Sequence, residues 1–235
     1  EVEEQVDLMY SLIRQQVDAI VLVPIDSKAL VQPVVEAVRK GVPVINIDIR
    51  LDTQLLEQAG VEVAFVGPDN FAAAYEVGKL LDKKLRNEDK VAIIEGLTAA
   101  DNAQQRKRGF IKAIEEKGLR LVASEPADWE TEKAAEVFQA MWMRYPDLKA
   151  VYCSNDAMAL GVLQQMQEKN CYLPVVGFDN DAVMKEFLST GKLVATADIF
   201  SSQMAVRGIE FALDVLEGKI ENRGVHSTAY EIIKQ

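Results

Sequence analysis

Polar side chains with hydrogen-bonding groups stand where short apolar runs of the sequence end. Asp48, Asn155 and Asp179 each follow such a run directly or within two residues. Asp and Asn are also good helix N-caps, and for any single position the cap is the preferred interpretation. Because polar residues recur at almost every run end, however, the sequence predicts a rim of hydrogen-bonding groups around a cleft.

The usual motifs of catalysis, metal binding and nucleotide binding are missing from the sequence. It contains no Gly-x-Ser-x-Gly elbow, no Gly-x-Gly-x-x-Gly fingerprint and no Gly-x-x-x-x-Gly-Lys-Ser/Thr loop. The single histidine, His226, has no obvious partner, and neither cysteine has a metal-ligand neighbour at zinc-finger spacing. We therefore predict no catalytic residue, no metal and no cofactor, which makes an enzyme the weaker hypothesis.

Composition excludes several further classes of protein. With 235 residues, of which 49% are hydrophobic and 27% charged, the chain can bury a core as one large domain or two small lobes. The net charge of −11 opposes a nucleic-acid partner, because an acidic surface repels phosphates. No apolar run approaches the ~20 residues of a membrane helix, and the chain does not open with a signal segment.

Short β-branched runs alternate with amphipathic segments along the chain. Most runs are apolar without strict alternation, as in parallel strands that are buried on both faces. Strands are predicted at 19–23, 42–47, 63–66, 91–94, 119–122, 150–153 and 175–178. Helices are predicted at 4–16, from a cap at Ser27 to Gly41, at 71–85, 110–118, 134–143, 157–166, 183–188 and 204–216. This alternation predicts an α/β fold with parallel sheets.

The two cysteines are expected to be free thiols. Cys153 is placed near the carboxyl end of one strand and Cys171 just before the amino end of the next. In adjacent parallel strands those ends lie further apart than the ~7 Å between Cα atoms that a disulfide tolerates.

Two stretches resemble the periplasmic sugar-binding proteins of the ribose-binding type. One is YCSNDAMALG at 152–161, followed by VVGFD at 175–179, and the other is QQRKRGF at 104–110, followed by PADW at 126–129. The effector domains of lac-repressor-like regulators share that fold. The resemblance runs from Glu3 to Gln235 and implies two doubly wound parallel-sheet lobes joined by a three-segment hinge.

The resemblance also implies a set of ligand contacts. The predicted ligand-binding residues are Asp48, Leu97, Arg106, Trp129, Asn155, Phe178 and Asp179. The charged and amide side chains match positions that hold sugar hydroxyls, since carboxylates accept, guanidinium donates and carboxamides do both. The two aromatic side chains match positions that pack on the apolar faces of the sugar ring. Core packing is the alternative for Trp129, and helix capping is the alternative for Asp179.

Four positions depart from the ribose-type pattern, which has Asn, Arg, Ser and Gln there. The residues in this chain are all apolar: Val23, Ile49, Pro68 and Ile199. Each sugar hydroxyl left unpaired against an apolar wall would cost about 1–3 kcal/mol. We therefore predict a ligand with a less polar side than ribose, such as a deoxy or methylated sugar, a furanose derivative, a nucleoside or a small polyol.

By the same resemblance, the first lobe comprises 1–68 plus 200–228, and the second comprises 69–199 plus 229–235. Relatives begin with a strand, a helix and a second strand before the point that corresponds to residue 1, so the first lobe is expected to be incomplete. If that leading part is absent, the strand 19–23 becomes an exposed apolar edge, which favours dimerisation, domain swapping or poor solubility. A missing leading part would also explain the lack of a signal peptide.

The predicted function is that of a solute-binding protein. It would capture a small sugar or sugar-like ligand between two lobes by hinge closure and present it to an ABC transporter or a chemoreceptor in the periplasm or another extracytoplasmic space. The alternative is the ligand-sensing domain of a membrane receptor or transcriptional regulator with the same fold, and a third hypothesis is an α/β enzyme. A DNA-binding, transmembrane or kinase segment in the full gene would identify the second, and turnover of a bound ligand the third.

Overall fold

The computed structural model describes residues 1–234, apart from the side chain of Asp82; Gln235, the end of the predicted second lobe, lies outside the described residues. The helices are α1 (Val2–Gln15), α2 (Val31–Arg39), α3 (Thr53–Gln58), α4 (Asn70–Gly78), α5 (Asp101–Lys117), α6 (Thr131–Arg144), α7 (Asp156–Glu168), α8 (Lys185–Ser189) and α9 (Ser201–Leu216). The strands are β1 (Ile20–Leu22), β2 (Val44–Ile47), β3 (Phe65–Pro68), β4 (Lys90–Glu95), β5 (Arg120–Pro126), β6 (Ala150–Cys153), β7 (Val175–Val176), β8 (Leu193–Asp198), β9 (Val225–Thr228) and β10 (Glu231–Lys234). Short 3₁₀ helices span Lys79–Lys84 and Ala182–Met184.

The chain divides into two compact units, each built on one sheet. The first unit consists of Glu1–Pro68, Ala99–Asn102 and Phe200–Ala229, and the second of Asp69–Thr98, Ala103–Ile199 and the chain from Tyr230. The sheet of the first unit has the order β1-β2-β3-β9 and is parallel throughout. The sheet of the second has the order β10-β8-β7-β6-β4-β5, in which only β10 is antiparallel to its neighbour among the described strands. The predicted α/β fold with parallel sheets is confirmed.

In the first unit, helices cover both faces of the sheet. Successive residues of a strand point to opposite faces, and β2 is buried on both. Val44 belongs to the core under α1 and α2, whereas Ile45 and Ile47 pack with Ala212 of α9. Strand β1 lies at the edge of this sheet. Large apolar side chains are exposed on β1, in the turn after it and along α9: Val21, Val23, Val206, Ile209, Leu213 and Leu216.

The second unit is covered in the same way. Helices α6 and α7 pack on one face through a cluster that includes Phe138, Val162 and Met166. On the other face, the ring of Phe110 from α5 lies 5.4 Å from that of Tyr152 in β6, measured between ring centroids. Burial of the sheet on both faces explains why the central runs of the sequence are apolar without alternation.

Several predicted elements differ from those observed. Helix α2 begins at Val31 without a side-chain cap, so the predicted cap at Ser27 is wrong. The carboxylate of Asp26 accepts instead from the backbone N–H groups of Lys28 and Ala29 and forms a turn there, while the Ser27 hydroxyl accepts from the N–H of Asp101. The helix predicted at 71–85 is α4 followed by a 3₁₀ helix, and the strand predicted at 119–122 is longer.

Two further predictions from the sequence concern the cysteines and membrane helices. Cys153 and Cys171 are both free, as predicted. Among residues 1–234, no helix is both long enough and apolar enough to cross a membrane.

Candidate ligand-binding site

The second unit brings several strand ends together. Strands β4, β6 and β7 are neighbours and parallel, so their carboxyl ends meet at one edge of the sheet. In open α/β sheets this edge is where ligands bind. The residues that follow these strands are Gly96 and Leu97, Ser154 and Asn155, and Phe178 and Asp179.

Arg106 reaches this edge from α5 and is the most buried cation of the site. It is only 3% exposed. Its Nε donates to Oδ1 of Asn70 at 2.9 Å, and its Nη1 donates to the carbonyl oxygen of Ser154 at 2.8 Å. The carboxylate of Asp179 lies 3.5 Å from Nη1 and is 27% exposed in its side chain. The guanidinium is therefore fixed by neutral acceptors, with one carboxylate at the limit of hydrogen-bonding distance.

Two aromatic rings contact the same guanidinium. The guanidinium carbon of Arg106 lies 3.7 Å from the ring centroid of Phe178 and 5.5 Å from that of Trp129. Phe178 is fully buried and Trp129 is half-buried. Cation–π contacts stabilise by about 0.5–2 kcal/mol, with the larger values where water is excluded. Asn70, Arg106, Trp129, Ser154, Phe178 and Asp179 are called the Arg106 cluster below.

Glycines allow these groups to approach one another. A Cβ at Gly96 would lie 2.0 Å from the ring of Trp129, so only glycine at the end of β4 accommodates the indole. A Cβ at Gly109 would lie 2.4 Å from the carbonyl oxygen of Phe71, so glycine there allows α5 to pack closely on α4. That packing carries Arg106, one turn earlier on α5, to Asn70 at the start of α4.

The Arg106 guanidinium has N–H donors that the hydrogen bonds described above do not use. A guanidinium carries five N–H donors. The contacts described above involve Nε and Nη1, and Nη2 has no protein acceptor among residues 1–234. A ligand hydroxyl can accept hydrogen bonds from these remaining N–H groups. The arrangement can thus hold a small molecule that presents acceptors to Arg106 and donors to Asp179.

The structure gives other predicted residues a different or additional role. Asn155 is the N-cap of α7, where its Oδ1 accepts from the N–H of Met158 at 2.9 Å, so the capping interpretation is correct for that atom. Trp129 packs against the core of the second unit, so the core-packing interpretation is correct, and its contact with a ligand stays a prediction. Leu97 is half-buried directly beyond β4. Ligand contacts of Leu97 and Asn155 remain predictions.

Asp48 belongs to the first unit, where it follows β2. Its backbone has a φ of 63°, and its N–H donates to the carbonyl oxygen of Val66 at 3.2 Å. The side chain is half-buried. Its predicted contact with a ligand also remains a prediction.

The sequence pattern missed three supporting residues. Asn70 and Ser154 hold Arg106, and the sequence pattern assigned neither of them a role in the site. Asp156 lies beneath the site, where burial raises the pKa of its carboxyl group to about 7 despite hydrogen bonds from Asp181 and Thr196. Asn155 and Asp156 are adjacent polar residues at a strand end, and the sequence does not show which of them caps the helix and which is buried beneath the site.

Metal binding finds no support in the described residues. No group of three or more His, Cys, Asp and Glu side chains is placed to hold a metal ion among them.

Comparison with known proteins places the chain in a family. Residues 1–220 match the family described as periplasmic binding protein domain. The D-ribose/D-allose-binding protein of Pseudomonas aeruginosa is 42% identical over 234 residues, which cover 97% of this chain and 73% of that protein. The D-allose-binding periplasmic protein of Escherichia coli is 33% identical over 217 residues, which cover 90% and 70%.

Solved structures agree with this assignment. An ABC transporter solute-binding protein from Burkholderia multivorans has a TM-score of 0.95 and 40% identity, and the match covers 100% of this chain and 83% of that one. A periplasmic solute-binding protein from Actinobacillus succinogenes with bound D-allose has a TM-score of 0.92 and 32% identity, covering 99% and 84%. The predicted fold of the ribose-binding type of periplasmic protein is confirmed, and the chain belongs to the periplasmic binding protein domain family.

Proposed function

We propose that this chain binds a neutral monosaccharide or a related polyol through the Arg106 cluster and delivers it to an ABC importer. The observation that carries the proposal is the buried Arg106 guanidinium, which lies against Phe178 and Trp129 and keeps its Nη2 donors available. The named relatives bind D-ribose or D-allose, and the solved relative from A. succinogenes holds D-allose.

A neutral ligand fits the charges of the site better than an anion does. The carboxylate of Asp179 lies beside the guanidinium and would repel an anionic ligand that approaches Arg106. A sugar hydroxyl can both accept from Arg106 and donate to Asp179, so neighbouring hydroxyls satisfy both groups. The adjacent rings can cover the apolar C–H face of a sugar ring.

A panel of sugars tests the proposal directly. Thermal unfolding would be measured with D-ribose, D-allose, D-fucose, D-arabinose and xylitol, and dissociation constants by calorimetry. A ligand at about 1,000 times its dissociation constant adds ~4 kcal/mol, which raises the melting temperature by roughly 8–16 °C for a chain of this size. The absence of a shift with every sugar, in a protein that unfolds cooperatively, would contradict the proposal.

Arg106→Met gives the matched test of the site. It removes the hydrogen-bonding cation and keeps an unbranched side chain, and we expect it to weaken binding by about 10–100-fold, since hydrogen bonds to charged groups contribute about 1.5–3 kcal/mol. Arg108→Met is the control, because Arg108 lies on the same helix and is exposed. Equal affinities of the two variants would exclude Arg106 from the site.

The four apolar departures support a finer proposal about the ligand. Ile49, Pro68 and Ile199 are buried, and Val23 is 41% exposed. We propose a ligand that lacks one or more hydroxyls on one side. Pairs of sugars that differ by one hydroxyl test this proposal. D-fucose should bind more tightly than D-galactose, and 2-deoxy-D-ribose should bind more tightly than D-ribose. Tighter binding of D-ribose, the sugar named for the P. aeruginosa relative, would refute it.

The family supports a proposal about location and partner. The family is described as periplasmic binding protein domain, and the E. coli relative is named a periplasmic protein; these names do not favour the alternative of a sensing domain. We propose a periplasmic location and a membrane permease as the partner. We also propose that the ligand is bound without reaction, in keeping with a family of binding proteins, so a sugar recovered after incubation should be unchanged by NMR.

The edge of the first unit supports a proposal about self-association. Among the described strands, β1 has one neighbour in the sheet, β2, and it exposes Val21 on the side of α9. We propose that the 235-residue chain, purified on its own, pairs through this edge with a second copy, because an unprotected apolar edge strand is a template for pairing. Light scattering should show a dimer that Val21→Lys converts to a monomer. A monomeric parent chain at high concentration would contradict this.

A further inference from the structure

Asp156 forms hydrogen bonds with the backbone of the segment that carries Phe178 and Asp179. Its Oδ2 accepts from the N–H of Asp181 at 2.9 Å, and its own N–H donates to the carbonyl oxygen of Phe178 at 2.7 Å. The Thr196 hydroxyl lies 2.9 Å and 3.0 Å from the two carboxylate oxygens. Asp156 and Thr196 are fully buried.

Glycine at position 177 makes this approach possible. A Cβ there would lie 2.0 Å from Oδ1 of Asp156, so no larger residue fits between the carboxylate and the backbone. The segment 177–181 therefore packs directly on the Asp156 side chain, at the point where it leaves β7.

The backbone of this segment has an uncommon conformation. Asp179 has a φ of 109° and Asn180 a φ of 59°, and neither is glycine. Non-glycine residues at positive φ persist where the surrounding contacts fix them. Here the N–H of Asn180 donates to the Thr196 hydroxyl at 3.2 Å, and the N–H of Asp179 donates to the carbonyl oxygen of Ala197 at 2.7 Å. Thr196 thus contacts both the segment and the carboxylate beneath it.

The contacts of this segment determine where two groups of the Arg106 cluster lie. Phe178 and Asp179 reach the guanidinium of Arg106 only while the backbone keeps the conformation described above. If Asp179 relaxed to negative φ, its carboxylate would point away from its present position.

We propose that Asp156, acting with Thr196, is a positioning residue of the ligand site: it holds the segment 177–181 so that Phe178 and Asp179 stay against Arg106. The expected effect on ligand affinity rests on the proposed function, whereas the expected effect on the conformation of the segment 177–181 does not.

The test combines two measurements on the whole chain. Hydrogen exchange of a peptide covering 177–181 is followed without sugar, and the affinity for D-allose is measured by calorimetry. Thr196→Val keeps the shape of the side chain and removes the hydroxyl, Thr196→Ser restores the hydroxyl, and Asp156→Asn replaces one acceptor oxygen by a donor. Thr190→Val is the control, because the Thr190 hydroxyl bonds only helix carbonyls on α8, at 3.0 Å and 3.2 Å, among the described residues.

We expect Thr196→Val and Asp156→Asn to accelerate exchange at 177–181 and to weaken D-allose binding, each by about tenfold, as loss of a buried hydrogen bond predicts. Thr196→Ser should stay within about twofold of the parent, since it keeps the hydroxyl, and Thr190→Val should match the parent. A folded Thr196→Val chain with parental exchange would overturn the proposal, as would one with faster exchange and parental affinity. If the parent bound no sugar, the proposed function would fail, while exchange alone would still decide whether Asp156 and Thr196 hold the segment.

Discussion

The buried carboxyl group of Asp156 should make the stability of this protein fall as the pH rises through neutrality. Burial raises its pKa from 3.8 to about 7. Cys153 on β6, which stays a thiol because burial raises its pKa, and Asp181 in the facing segment are the titratable neighbours, and the negative charge of Asp181 also raises the pKa of Asp156. Neither neighbour provides a compensating positive charge.

The direction in which stability changes with pH follows from proton binding to Asp156 in the folded and unfolded chains. Between about pH 4 and pH 7 the folded chain holds a proton on Asp156 that the unfolded chain has released, so stability is lost as the pH rises through that window. The full loss from a shift of about three pKa units is about 4 kcal/mol. Between pH 5.5 and pH 8.5 the expected part is about 2 kcal/mol, because only the titration from pH 5.5 to the folded pKa contributes.

Urea unfolding at pH 5.5 and pH 8.5, on the parent and on Asp156→Asn, measures this effect. The variant has no titrating group at position 156, so contributions that the two proteins share cancel in the difference. We expect the parent to lose about 2 kcal/mol more than the variant over this range. An equal loss in both proteins would refute the reasoning, and it would mean that water or a structural change solvates the Asp156 carboxylate.

Three other substitutions have clear expectations. Gly96→Ala should displace Trp129, which a Cβ would approach to 2.0 Å, and so shift the tryptophan emission and weaken sugar binding; calorimetry and fluorescence would show this. Gly161→Ala places a Cβ 2.0 Å from the backbone oxygen of Thr131, so it should lower stability by about 1–3 kcal/mol or more, measured by thermal unfolding. Asn46→Ala leaves the buried N–H of Leu51 and the carbonyl oxygen of Ile49 without their side-chain partner and should lower stability by about 2–4 kcal/mol in urea unfolding.

Much of the candidate site could be predicted because its residues follow apolar strands. In a parallel sheet, residues after neighbouring strands meet at one edge, so the positions of Ser154, Phe178 and Asp179 follow once β6 and β7 are identified. The identification of Arg106 came from resemblance, since a basic residue inside a helix has no pattern that distinguishes it from a solvated one.

What the sequence did not predict depends on contacts between distant residues. Strands β9 and β10 are short and largely exposed, and neither shows a buried apolar run, so only pairing with β3 and β8 defines them. Strand β8 was also missed, and helix α3, with six residues, is too short to show a period. The helix cap at Asn155 and the burial of Asp156 could not be predicted either. The two residues are adjacent and both polar, and only tertiary contacts determine which side chain caps the helix and which is buried.

Glycine at three positions explains why the Arg106 cluster forms where it does. Each of these glycines lies against a group that the site uses: the Trp129 indole at Gly96, the backbone of α4 at Gly109 and the Asp156 carboxylate at Gly177. In each case an added Cβ would come within 2.4 Å of that group, closer than atoms in contact allow. A polar side chain at a strand end can point in many directions. The close contacts at these glycines restrict the Trp129 indole, the Arg106 guanidinium and the Asp156 carboxylate to their observed positions. The affinity of the site should therefore depend as strongly on these glycines as on the side chains that contact the ligand.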